Sequence, residues 1–74
     1  MDTMLASVET IDRDRKIRAG ISELYRHGEP TSTAVIVILL RNGIDLRPAD
    51  IRVTKDGVYA EAKDLRIFVA RPVL

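Results

Sequence analysis

From Ile51 to Val69 apolar and polar residues alternate along the chain, the period expected of half-buried strands. With loops at Asp56-Gly57 and Lys63-Asp64, this alternation predicts a three-stranded antiparallel meander whose two faces are sorted. On one face Ile51 lies beside Ala62 and Leu65, Val53 beside Ala60 and Ile67, and Val58 beside Val69. On the other, Arg52 lies beside Glu61 and Arg66, and Thr54 beside Tyr59 and Phe68. Opposite charges and aromatic rings meet, as cross-strand pairing favours. A one-residue slip of the third strand would turn Leu65, Ile67 and Val69 to water and Arg66 inward, so the apolar face opposes it.

Before the meander the period changes. Ile17, Ile21, Leu24 and Tyr25 form a helical stripe, but Met4, Leu5 and Val8 lie roughly 130° away from it at about 100° per residue. One straight helix cannot bury both groups. The main helix is therefore expected to start near Asp12, capped by it with Ile11 packed outside, and residues 1–10 to form a mobile arm or a short separate turn. Gly28 is expected to end the helix at about His27, and Pro30 to block its continuation. Residues 11–74 then form a single α+β domain.

Residues 31–43 carry two competing signals. Val35, Ile36, Val37 and Ile38 are β-branched and Asn42-Gly43 suits a hairpin turn, which together describe a strand. Thr31 or Ser32 as an N-cap, Arg41 in a last turn and Gly43 as a stop describe a helix. The balance goes to the helix, because caps are present at both ends and twelve residues are long for a strand. Pro48 and Asp50 in the connector can start a single helical turn. The predicted fold is α+β, one long helix and a second packed on one face of the meander.

Size and composition narrow the picture. A chain of 74 residues buries only about 60% of its unfolded surface, so its core is modest. With no cysteine and one histidine, disulfide or metal stapling is closed to it, and a partner subunit, most simply a second copy, becomes the expected supplement. The absence of cysteine fits a reducing compartment, and cytoplasmic location is the default expectation. The longest apolar run, Ala34 to Leu40, is far short of the about 20 residues that span a bilayer. No signal-peptide pattern opens the chain. The net charge of +1 makes no field to steer nucleic acid.

Candidate chemistry is sparse. His27 is the one side chain suited to proton transfer near neutral pH, and at a helix end it is expected to bond the last carbonyls instead. Glu9, Asp12 and Asp14 lack the spacing of a calcium loop, and the mixed charges from Asp12 to Arg18 describe a solvated helix face. Glycines stand singly, so neither a phosphate loop nor a nucleophile elbow is present. Gly20 inside the main helix implies a close approach by another element. No catalytic, cofactor or metal residue is assigned.

Two readings of function follow. The outward sheet face gathers Arg52, Thr54, Tyr59, Arg66 and Phe68, placing aromatics where the core does not need them, and aromatics with arginine are typical interface anchors. A non-enzymatic protein-interaction module is expected, an inhibitor or adaptor of the small bacterial or phage-encoded accessory kind, binding another protein or itself as a homodimer. No membrane and no small-molecule substrate are expected. Alternatively, two helices, a short third from Pro48 to Arg52 and a hairpin wing from Arg52 to Arg66 resemble a winged helix, which would imply a DNA-binding transcriptional regulator. Glu61 and Asp64 interrupt the wing's basic residues, and a charge of +1 is little for phosphate contact.

Overall fold

The computed structural model describes residues 7–73. Helix α1 (Val8–His27) is followed by helix α2 (Ser32–Arg41), a 3₁₀ turn (Pro48–Asp50) and strands β1 (Ile51–Thr54), β2 (Gly57–Ala62) and β3 (Leu65–Ala70). The strands form one antiparallel sheet in the order β1-β2-β3. Both helices lie against the same side of it, α1 along β3 and α2 along β1. This is the α+β arrangement that the two periodicities predict.

Helix α1 starts earlier than Asp12. The Ser7 hydroxyl accepts from the Thr10 amide at 3.1 Å and the Ser7 carbonyl from the Ile11 amide at 3.0 Å, satisfying donors that a helix start leaves open. Asp12 is thus interior to the helix and pairs with Lys16 one turn on at 3.3 Å. The angular argument still decides what is buried. Ile17 and Ile21 are fully enclosed, while Val8 is 82% and Ile11 49% exposed; a helix can propagate past apolar residues it does not bury. The part of the expected arm in residues 1–6 lies outside the described residues. At the other end Gly28 takes a φ of 140°, a region few side chains tolerate, and its amide bonds the Tyr25 carbonyl.

Residues 32–41 are helical, and both sequence signals find a use in that helix. Thr31 Oγ1 accepts from the Ala34 amide at 3.1 Å. At the far end the Gly43 amide reaches the Leu40 carbonyl and the Ile44 amide the Leu39 carbonyl, at 3.0 and 2.9 Å, with Gly43 at a φ of 81°. That pair of bonds is a Schellman closure, so Asn42-Gly43 stops a helix and turns no hairpin. Val35 and Leu39, four apart, are fully buried, which shows the 3.6-residue period overriding the β-branched preference.

The close approach implied by Gly20 is made by Ile38: a Cβ on Gly20 would stand 3.1 Å from Ile38 Cγ2. Alanine at position 20 gains about 1 kcal/mol of helix propensity against a contact that the end of one side chain can relieve. Gly20→Ala is therefore expected to leave the urea midpoint nearly unchanged. Gly20→Leu, which must push α2 away, is expected to lower stability by about 1–3 kcal/mol.

In the sheet the β2–β3 register is as expected, with Val58 opposite Val69, Tyr59 opposite Phe68 and Glu61 opposite Arg66. The β1–β2 register is displaced by two residues: Ile51 faces Ala60, Arg52 faces Tyr59 and Thr54 faces Gly57. A two-residue turn over Asp56-Gly57 of either hairpin type would need positive φ at Asp56, and among the described residues only glycines have it. The chain turns over Lys55-Asp56 instead. The Asp56 amide donates to Thr54 Oγ1 at 3.1 Å, that hydroxyl donates to the Gly57 carbonyl at 3.2 Å, and Gly57 takes the unusual backbone angle, φ 153°.

The core joins Ile17 and Ile21 of α1, Val35 and Leu39 of α2, Leu46 of the connector and Ile51, Val58, Ala60, Leu65, Ile67 and Val69 of the sheet. Every sheet member of that set belongs to the predicted inward face. The stretch a winged helix would use for reading DNA is a 3₁₀ turn of three residues. Among the described residues no helix is long and apolar enough to cross a membrane.

Candidate functional site

The side of the sheet away from the helices carries the site. Arg52, Tyr59 and Phe68 stand side by side on β1, β2 and β3, so neighbouring side chains are spaced by the strand separation, about 4.8 Å. The Tyr59 and Phe68 ring centroids are 4.4 Å apart with planes 32° from parallel, and Arg52 Cζ lies 5.6 Å from the Tyr59 centroid. Tyr59 is thus held between a second ring and a guanidinium. The two rings lie tilted face to face, the far end of the Phe68 ring reaching over Gly57, and each residue is 38% exposed. Stacking contributes about 0.5–1.5 kcal/mol and the exposed cation–π contact about 0.5–1 kcal/mol, both favouring the row.

One step along the strands, Arg66 meets Glu61 at 3.1 Å, an exposed pair worth less than about 1 kcal/mol. Ala49 and Asp50 bound the same shallow depression, with Asp50 turned back to the Arg47 amide at 3.2 Å. Of the five residues predicted to form this surface, four gather as a group: Arg52, Tyr59, Arg66 and Phe68. Thr54 is the exception. The register displacement moves it opposite Gly57, and its hydroxyl is engaged in the turn. The same displacement takes Arg52 from its expected place beside Glu61 and sets it against Tyr59.

Other predicted features resolve differently. His27 Nε2 lies 2.9 Å from Glu23 Oε2 on the exposed side of α1 and does not bond the last carbonyls, because Gly28 closes the helix through its own amide. The mixed-charge stretch of α1 is more than a solvated face. Arg13 donates to the Asp64 carbonyl and Arg18 to the Phe68 carbonyl, each at 3.0 Å, covering part of the open edge of β3. Among the described residues no three His, Cys, Asp or Glu side chains gather where a metal ion could be held.

One feature had no clear sequence signal. Tyr25, Arg26, Gly28, Glu29, Arg71 and Pro72 line a second groove, spanned by an ion pair between Arg71 and Glu29. The Tyr25 hydroxyl oxygen is buried there without a hydrogen-bond partner among the described residues. Tyr25 falls on the apolar stripe of α1, and a period argument cannot show where its polar tip ends. Comparison of the chain with protein-family models, with curated proteins and with solved structures returns no match.

Proposed function

We propose that the protein is a non-enzymatic interaction module, an inhibitor or adaptor, that holds a partner protein on the outward face of its sheet. The observation that carries this reading is the stacked Arg52–Tyr59–Phe68 row, exposed on the side that no described element covers. Aromatic and arginine side chains bury large areas at small entropic cost, which is why they anchor interfaces. Preorganisation by stacking lowers that cost further. A second copy of the chain on the same face, giving a homodimer, is a variant of this use that the same substitutions test.

Tyr59→Ser combined with Phe68→Ser tests it. The double variant is expected to keep its far-UV circular dichroism spectrum and to lose about 1–2 kcal/mol, since both rings lie outside the core. In affinity capture from nuclease-treated lysate, it is expected to lose the partner that the unsubstituted protein retains, and sedimentation velocity reports any dimer lost with it. Unfolding of the double variant would place the rings in the structural core and end the proposal.

A further inference from the structure

The charges around the aromatic row specify what kind of segment would lie on it, on the premise that this face is the binding surface. Its strand positions carry Arg52 and Arg66 against Glu61 alone, and Asp50 is tied to the Arg47 amide. Arg66 is shared with Glu61, whereas Arg52 has no ion-pair partner among the described residues and leans on Tyr59. The face therefore offers one uncommitted cation and one cation engaged by an exposed acid, with Tyr59 beside the diagonal that joins them and Phe68 next to Tyr59 on the outer strand.

Spacing follows from the register. Arg52 and Arg66 sit on the two outer strands, one cross-strand pair apart along β2. Two strand separations across and two residues along put their backbones on the order of 12 Å apart, the span of three to four residues of extended chain. We infer that the ligand is an extended acidic peptide segment, with two carboxylates three or four positions apart and an apolar side chain between them that packs against the Tyr59–Phe68 pair.

Two other occupants fit less well. Single-stranded nucleic acid is gripped by bases lying flat on open ring faces, but Tyr59 has Phe68 on one side and Arg52 on the other, and Glu61 lines the same depression. A second copy placed face to face would oppose one positive excess with another. The arrangement also makes Glu61 an internal stand-in for the partner's carboxylate at Arg66.

The test pans a random dodecapeptide display library on the full chain and measures synthetic versions of the selected peptides by fluorescence anisotropy. Enrichment of acidic residues three or four apart around an apolar residue is expected. Arg52→Ala and Arg66→Ala, both at exposed sites, are expected to weaken binding about fivefold or more, Glu61→Gln to tighten it about threefold, and added salt to weaken it. Selected peptides without acids, or unaffected by the arginine variants, would overturn the acidic assignment. So would recovery of no peptide, or an oligothymidylate binding more tightly than any peptide. The Tyr59→Ser, Phe68→Ser protein separates the two levels of the proposal. Peptides of any composition that lose binding to it leave the sheet-face reading standing, and peptides that bind it unchanged remove that reading too.

Discussion

Gly57→Ala is expected to lower the melting temperature by roughly 12–24 °C or to leave the chain unfolded at room temperature, the shift that about 3 kcal/mol produces in a domain of this size. Two costs combine. Gly57 is buried with a φ of 153°, where an L side chain is strained by about 1–3 kcal/mol. Its Cβ would also stand 2.3 Å from the Val69 carbonyl oxygen and 2.7 Å from Phe68 Cε1. The carbonyl belongs to the adjacent strand and cannot retreat without disturbing the β2–β3 ladder. Phe68 can retreat, but only by leaving the stack with Tyr59, so the proposed binding surface should be disturbed in any folded fraction. Gly43→Ala is the control: its φ is 81° with nothing within 4 Å of a Cβ, and a cost of about 1 kcal/mol is expected. Thermal melts followed by circular dichroism compare the two, and equal shifts would show that crowding by β3 is not what position 57 avoids.

Leu39→Ala is expected to cost about 2–5 kcal/mol, and Leu40→Ala, its neighbour, no more than about 0.5 kcal/mol. The change in chemistry and in helix propensity is the same at both positions; burial differs. Leu39 is fully enclosed where α2 meets the sheet, and Leu40 is 51% exposed. Leu39 is also the residue whose carbonyl receives the amides of Asn42 and Ile44, and Ile44 packs against the core beside it, so a cavity there loosens the helix stop as well. A domain of 74 residues has only a few kcal/mol of net stability, so the Leu39 variant should be largely unfolded without denaturant while the Leu40 variant melts with the parent. Reversed sensitivities in urea titrations would mean that α2 is rotated about its axis relative to the sheet.

Much of the candidate site is legible in the sequence. Tyr59, Phe68, Arg52 and Arg66 fall on the outward face because side-chain direction in a strand depends only on odd or even position. The start of α1 was not legible: helix termini are set by local hydrogen bonds as weak as the one from the Thr10 amide to Ser7, and the apolar pattern used to place the start describes burial and not helicity. Nor was the reach of Arg13 and Arg18 to the β3 edge, since it depends on how a long side chain crosses from one element to another.

By itself, the sequence determined the class of fold, the two faces of the sheet and the core side chains of α1 and the sheet, because these follow from periods of 2 and 3.6 and from the aversion of apolar groups to water. The tertiary structure alone decided which residues are neighbours across β1 and β2. A slip of two residues keeps every side chain on its own face, so burial cannot distinguish the registers. The choice fell to the backbone of one turn, where Gly57 takes the angle that Asp56 avoids, and that choice set Arg52 against Tyr59.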